Sequence, residues 1–174
     1  MADGDIQRIG DAPKRREDAR FVSGRGAYLD DLAFPGAAHA VFLRSPHAHA
    51  DIRGVETGAA AALPGVIAVL TAAEAAADGL KPLPPFVIAN TVTQEPFAWD
   101  AQPLLAEDRV RYAGQPVVLV VAETKSAALD AAEAIGIDYA ARPAVVLGTA
   151  ALAAGAPALS ADVPGNCVMD WRTG

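Results

Sequence analysis

The sequence predicts an α+β fold, and three observations carry that prediction. The continuous apolar run VVLVV at 117–121 is typical of a β-strand buried on both faces. An alanine-rich helical segment follows it, and a second strand-then-helix pair of similar layout begins at residue 66. Strands that alternate with short helices in this way predict a mixed β-sheet with crossover helices.

Residues 1–36 differ in character from the rest of the chain. They are polar and charged, and the glycines at 24 and 26 and the Asp-Asp pair at 30–31 mark turns. We therefore expect 1–36 to be an extended N-terminal arm and 37–148 to be the folded domain. Residues 149–174 are rich in alanine, glycine and proline and are expected to be an exit linker, with a possible short helix at 150–154.

The folded region begins with two predicted strands. The first spans 38–44 and ends at Ser45-Pro46, because proline cannot continue a ladder of hydrogen bonds. The second spans 50–56, and a short helical turn at 59–63 is stopped by the Pro-Gly pair that follows.

The two strand–helix pairs come next. Strand 66–70 runs into Thr71, which forms a capping box with Glu74 at the start of an alanine helix. After strand 117–121, Thr124 can cap a helix over 125–135 whose apolar residues lie on one stripe.

A further strand is predicted at 137–140, directly after this helix. A strand, a crossover helix and a returning strand would make a βαβ unit.

Composition excludes several classes of function. The net charge of −7 leaves no basic stripe to neutralise phosphates, so we expect no nucleic-acid partner, and no apolar run is long enough for a membrane helix. The single cysteine, Cys167, cannot form an internal disulfide or hold an iron–sulfur cluster. A cytoplasmic location is the default expectation.

The three histidines are candidate metal ligands. His47 and His49 are two residues apart and would point the same way on a strand, but a third ligand is needed, and His39 lies upstream on the preceding strand region. We therefore predict no metal site, and expect these histidines to satisfy local backbone groups after the Ser-Pro turn. No serine or cysteine has the surroundings of a catalytic nucleophile, so no catalytic residue is predicted.

Gln115 immediately precedes the most apolar strand. A side chain with two donors and an acceptor must find partners in such a neighbourhood. Those partners could be the loop backbone, which is the favoured interpretation, or a neighbouring polypeptide.

The segment 80–103 is proline-rich and shows little periodicity, so it is predicted to be a long loop. It carries Phe97 and Trp99. These aromatic side chains either seal the alanine-rich core or face a ligand.

Several short motifs occur in one order along the chain: REDAR at 16–20, GRGAY at 24–28, RSPHAHA at 44–50, LPGV at 63–66, LA at 105–106, RVRYAGQP at 109–116, DAAE at 130–133 and DY at 138–139. In this order they resemble the N-terminal domain of the molybdenum-binding subunit of the xanthine dehydrogenase and aldehyde oxidase family, which includes aerobic carbon monoxide dehydrogenase. One departure is Ala141-Arg142, which stands before Pro143 where the family usually has an acidic residue.

The resemblance implies that 37–148 is an α/β-hammerhead domain and that 149–174 leads toward molybdenum-binding domains. It transfers no catalytic residue and no cofactor-binding residue onto this chain, because the family holds its molybdenum pterin in later domains. It does imply that Phe97 and Trp99 belong to the wall of the substrate funnel.

The complete enzyme implied by this family is an oxidoreductase. It would hydroxylate an aldehyde, an N-heterocycle or a similar small molecule with oxygen from water, passing electrons through iron–sulfur clusters to FAD. Expected partners are the molybdenum-binding domains or subunit, the iron–sulfur subunit and the FAD subunit. The chain alone is predicted to be inactive, giving scaffold, funnel wall and subunit contacts. The alternative is a stand-alone binding or interaction module that keeps the fold without redox chemistry.

Overall fold

The computed structural model of the chain describes Gly10 and residues 15–84 and 102–168. The chain divides into two compact units, Met1–Gly36 and Ala37–Gly174. The first unit contains the helix α1, Asp18–Val22, and a 3₁₀ turn at Leu29–Asp31. The ring of Phe21 stacks on Tyr28 with 5.6 Å between centroids, so the predicted arm has local structure of its own.

The second unit contains six strands and four further α-helices among the described residues. The strands are β1 His39–Arg44, β2 Ala50–Glu56, β3 Val66–Leu70, β4 Arg109–Val110, β5 Pro116–Ala122 and β6 Gly136–Ala141. The helices are α2 Gly58–Ala61, α3 Ala72–Ala77, α4 Lys125–Glu133 and a last one, α5, at Gly148–Ala151. A 3₁₀ turn at Pro164–Asn166 follows within the predicted exit linker, and residues beyond 168 lie outside the described part.

The strands form two three-stranded sheets. The first sheet has the order β1-β5-β3 and the second has the order β4-β2-β6, and every pairing is antiparallel. The predicted α+β class is confirmed. The prediction of one mixed sheet is wrong, because the strands form two antiparallel sheets. The predicted βαβ unit is wrong as well, because β5 and β6, which α4 connects, lie in different sheets.

The reason for this error is physical. A run such as VVLVV specifies a strand with two apolar neighbours, and β5 meets that requirement as the central strand between β1 and β3. Nothing in the local sequence states whether a neighbour runs parallel or antiparallel, or whether a following strand returns to the same sheet.

The predicted helix starts are confirmed. Thr71 Oγ1 accepts from the Ala73 amide at 3.2 Å while the Glu74 carboxylate accepts from the Thr71 amide at 2.8 Å. At α4, Thr124 Oγ1 accepts from the Ala127 amide at 3.1 Å. These side chains pair backbone amides that have no partner within the helix.

The core lies between α4 and the first sheet. Helix α4 packs across β1, β5 and β3. Its buried residues are all alanines, namely Ala128, Ala131 and Ala132, facing strand valines that include Val118 and Val120. Small side chains on the helix allow its backbone to approach the sheet closely, so the valines fill the layer between them.

Candidate functional site at the junction of the two sheets

Two segments of chain pass side by side from one sheet to the other. Residues 45–49 connect β1 to β2, and residues 111–115 connect β4 to β5. Because β1 pairs with β5 and β2 pairs with β4, both segments cross the same boundary between the sheets. Two of the sequence motifs, RSPHAHA at 44–50 and RVRYAGQP at 109–116, therefore lie next to each other in the structure.

Backbone hydrogen bonds join the two segments directly. The Ser45 amide donates to the Gln115 carbonyl at 2.9 Å, and the Gly114 amide donates to the Ser45 carbonyl at 2.8 Å. Arg44 adds a side-chain contact, since its Nη1 donates to the Gly114 carbonyl at 2.9 Å. This reciprocal pairing continues the β1–β5 ladder past the bulge at its end and ties the junction together.

Gln115 is buried, with 3% of its surface exposed. Its Oε1 accepts from the Arg111 amide at 2.7 Å, which closes the turn that contains Gly114. Gly114 has a φ of +88°, a left-handed conformation that favours glycine. The favoured interpretation of Gln115, a partner in the loop backbone, is confirmed for its side-chain oxygen.

Ser45 plays the matching part on the other segment. Its hydroxyl donates to the His47 carbonyl at 3.1 Å and accepts from the His47 amide at 3.0 Å. A serine side chain that bonds backbone two residues on is a common way to form a turn. The prediction that Ser45-Pro46 ends the first strand is therefore confirmed, with this turn as its mechanism.

The two histidines have different partners. His49 is 4% exposed, and its Nδ1 donates to the Pro143 carbonyl at 2.7 Å, which fixes the tautomer with hydrogen on Nδ1. His47 instead lies against the ring of Tyr139, with 4.9 Å between centroids and 57° between planes. Both histidines lie in the segment that connects β1 to β2, so they are not a pair of side chains on one strand. The prediction that they bond to local backbone groups is wrong for His49, because its partner, the Pro143 carbonyl, is distant in sequence.

Burial raises the pKa of Tyr139 above its ordinary value of 10.0, and the nearby Ser45 hydroxyl offsets part of that shift. Tyr139 Oη and His49 Nε2 are buried, and neither has a hydrogen-bond partner of good geometry among the described residues. A neutral phenol is the form that such surroundings favour.

An acidic side chain ties the second sheet together. Asp51 on β2 accepts from Arg109 Nε at 2.7 Å and from Arg142 Nε at 2.5 Å. Arg109 lies opposite it on β4, and Arg142 follows the end of β6, so one carboxylate links all three strands. The hydrogen bond from Arg109, followed by that from Arg142, lowers the pKa of Asp51 below 3.8, while desolvation opposes the shift.

Sequence reasoning missed this ion pair network. Arg142 entered the sequence analysis only as part of a departure from the family pattern. The pairs span 58 and 91 residues, so only the strand pairing could have disclosed them.

The side chains of Ser45, His49 and Gln115 at the junction bond to backbone groups. Within residues 15–84 and 102–168, no group of three or more histidine, cysteine, aspartate or glutamate side chains could hold a metal ion. Asp51, the carboxylate nearest in sequence to His49, is engaged by two arginines. Cys167 is exposed.

Phe97 and Trp99, the residues assigned to a substrate funnel, lie outside the described residues. The residues on either side of them are described. Leu83 and Gln102 form an isolated antiparallel bridge, with the Leu83 amide 2.9 Å from the Gln102 carbonyl. Beside the bridge is a shallow groove with apolar and charged lining: Ala72, Ala75, Ala76, Leu80, Lys81, Pro82, Pro103, Leu104, Leu105 and Glu107.

Comparison with known proteins is consistent across sequence and structure. Residues 23–143 match the sequence profile described as "Aldehyde oxidase and xanthine dehydrogenase, a/b hammerhead domain". The chain is 41% identical over 158 residues to the carbon monoxide dehydrogenase large chain of Afipia carboxidovorans, covering 91% of this chain and 18% of that protein. It is 46% identical over 132 residues to the nicotine 6-hydroxylase large subunit of Paenarthrobacter nicotinovorans, covering 75% of this chain and 15% of that protein.

Solved structures with the same fold include the Cu,Mo-CO dehydrogenase in its carbon monoxide reduced state. That match has a TM-score of 0.68 and 40% identity, and it covers 85% of this chain and 17% of the other. Quinoline 2-oxidoreductase from Pseudomonas putida 86 also matches with a TM-score of 0.68, at 41% identity, covering 83% of this chain and 18% of the other. The chain thus spans less than a fifth of the length of these relatives.

Proposed function

Because the chain belongs to the aldehyde oxidase and xanthine dehydrogenase family, whose α/β hammerhead domain it carries, we propose that it is the non-catalytic N-terminal part of a molybdenum hydroxylase. The observation that carries this proposal is the match over 23–143, together with large-subunit relatives at 41% and 46% identity. In the complete enzyme the chain would supply scaffold, a wall of the substrate funnel and contacts between subunits.

The cysteine content of the chain does not fit an iron–sulfur cluster. Iron–sulfur clusters are held by sets of cysteine thiolates, and this sequence has one cysteine. Its described histidines and acids form no group of three that could ligate a metal. We propose that the molybdenum pterin, the iron–sulfur clusters and the FAD of the complete enzyme are held by other domains and subunits, and that the isolated chain is inactive.

The geometry at the junction supports the proposed scaffold role. Two crossover segments are bonded to each other through Ser45, Gly114 and Gln115, and Asp51 joins the three strands of the second sheet. These hydrogen bonds and ion pairs fix the positions of the two small sheets relative to each other. A structural domain requires such a fixed arrangement.

Partner subunits are part of the proposal. One relative is named as subunit gamma of the 6-hydroxypseudooxynicotine dehydrogenase complex, and others are named as large chains. We propose that this chain works with a molybdenum-binding, an iron–sulfur and an FAD component, on a small molecule such as an aldehyde or an N-heterocycle. No helix in the described part of the chain is long and apolar enough to cross a membrane. A cytoplasmic location is part of the proposal.

The proposal can be tested by purifying the tagged chain from its source cells and from a heterologous host. From source cells we expect it to co-purify with polypeptides that contain molybdenum, iron and flavin, measured by elemental analysis and absorption spectra. From the heterologous host, the chain alone should contain none of these and oxidise neither aldehydes nor purines. If the chain purified from its source cells has no partner polypeptides and no cofactors, the alternative of a stand-alone binding module is favoured instead.

A further inference from the structure

The first sheet has one apolar face that no described helix covers. Side chains alternate between the faces of a strand, and the strand register brings together two rows on this side. We call these six residues the open face: Ala40, Val121 and Ala68 in one row, and Phe42, Leu119 and Leu70 in the other.

The opposite face is closed by α4. Val118 and Val120 are fully buried there, together with the helix alanines Ala128 and Ala131. On the open face, by contrast, Phe42 is 44% exposed, with the Arg44 guanidinium 5.5 Å from its ring centroid, and Leu119 is only partly buried. Val117, on the same side of β5 at its start, is buried, so the cover is missing mainly toward β1. The two faces of one sheet therefore differ in cover although both are apolar.

The sequence of these strands is that of a sheet with two covered faces. Strands with one face in water alternate apolar and polar residues, whereas VVLVV in β5 and VIAVL in β3 are continuous apolar runs. A sheet with two apolar faces requires a layer on each side. In the described residues, the first sheet has such a layer on one side only.

We propose that the open face packs against the remainder of the same large subunit, the polypeptide that lies beyond the hammerhead region in the relatives. This inference rests on the proposed function. The chain spans 18% of the carbon monoxide dehydrogenase large chain and 15% of the nicotine 6-hydroxylase large subunit, so most of either polypeptide is available as the second layer.

The size of the open face argues for this occupant over a second copy of the chain. A stable interface between separate proteins takes about 800 Å² and roughly 20–30 residues on each side. The open face offers six residues, two of them alanines. A patch of that size is sufficient when the two surfaces are parts of one polypeptide, because the covalent link raises their effective concentration.

The experiment uses a chimaera in which this chain replaces the matching region of the Afipia carboxidovorans carbon monoxide dehydrogenase large chain. Phe42→Glu is placed in the chimaera and in the isolated chain. The matched control is Leu129→Glu, because Leu129 on α4 is 45% exposed and lies away from the open face. Ala40→Glu is a second variant, since Ala40 is exposed and its replacement removes little packing from the isolated chain.

We expect the isolated variants to keep a cooperative thermal transition. In the chimaera, Phe42→Glu and Ala40→Glu should reduce the yield of soluble, protease-resistant subunit at least about tenfold, because each buries a carboxylate against an apolar surface. Ala40→Glu is the decisive variant, since the Arg44 guanidinium lies 5.5 Å from the Phe42 ring centroid and offers a partner to a carboxylate at position 42. Leu129→Glu should leave that yield unchanged.

Each other outcome counts against the inference. If the Phe42→Glu and Ala40→Glu chimaeras assemble as well as the parent chimaera, the open face is not the interface with the rest of the subunit. The proposed function is still supported in that case if the parent chimaera holds molybdenum. If light scattering shows that the isolated chain is a dimer that Phe42→Glu makes monomeric, a second copy is the occupant. A parent chimaera that does not assemble contradicts the inference and the proposed function together.

Discussion

Ser45 and Gln115 lie on different crossover segments, and the backbone amide of Ser45 donates to the backbone carbonyl of Gln115 at 2.9 Å. Each of these residues also uses its side chain to close its own turn, Ser45 onto His47 and Gln115 onto the Arg111 amide. The junction between the two sheets is thus built from two turns that stabilise themselves and then bond to each other.

The turn at Gly114 should be intolerant of a side chain. Because Gly114 has a φ of +88°, Gly114→Ala is expected to destabilise the fold by about 1–2 kcal/mol, the cost of forcing an L-residue into the left-handed region. Urea denaturation followed by circular dichroism measures this directly.

The control for that prediction is Gly58→Ala. Gly58 begins α2, and an added Cβ there would meet nothing within 4 Å. Alanine is a better helix former than glycine, so this variant should be neutral or more stable by up to about 1 kcal/mol. Equal losses in both variants would mean that the conformation of Gly114 is not what the structure requires.

The Asp51 network should make stability depend on pH in the acid range. The folded-state pKa of Asp51 is below its ordinary value of 3.8. The ionised carboxylate therefore stabilises the folded state above pH 3.8, and this stabilisation is lost as the pH falls through the folded-state pKa. Asp51→Asn should therefore lower the Tm at pH 6, and its difference from the parent Tm should shrink as the pH falls below 3.8 and through the folded-state pKa of Asp51.

Asp138→Asn is the control for this effect, since Asp138 is an exposed carboxylate on the same sheet. It should leave the pH profile of the Tm close to that of the parent. An Asp51→Asn profile that runs parallel to the parent profile at all pH values would show that the two arginines do not depend on the charge of Asp51.

The cap of α4 should contribute measurably to stability. Thr124→Ala removes the acceptor for the Ala127 amide, and the expected loss is about 1 kcal/mol in the free energy of unfolding. Thr124→Ser keeps the hydroxyl and should retain most of that stability. If serine and alanine are equally destabilising, the methyl group of the threonine matters and the hydrogen bond does not.

The aromatic residues of the proline-rich loop carry the proposal of a funnel wall. In the assembled enzyme, Trp99→Ala should change the ranking of substrates by kcat/KM, because a rigid aromatic surface selects flat molecules by stacking and shape. Phe97→Ala should act in the same direction. Thermal stability should change little in either variant.

Leu152→Ala serves as a control for the loop variants, because Leu152 is an exposed apolar side chain on another segment. It should alter neither the ranking nor the stability. A large loss of stability in Trp99→Ala with an unchanged substrate ranking would instead identify Trp99 as a core residue.

The positions of several strands and helix starts were determined by local sequence. The apolar runs at β3 and β5 and the capping residues Thr71 and Thr124 predicted strands and helix starts within a few residues, because strand burial and end-capping act over short distances. The order of motifs along the chain indicated the family, and the match over 23–143 confirms it.

Strand pairing was decided only by the tertiary structure. The same apolar run suits a parallel or an antiparallel neighbour, so β5 and β6 could be assigned to one sheet although they belong to two. Pairing in turn decided which distant residues meet: Asp51 with Arg109 and Arg142, and Ser45 with Gln115. These contacts join residues far apart in the chain, and their partners depend on a register that no local segment specifies.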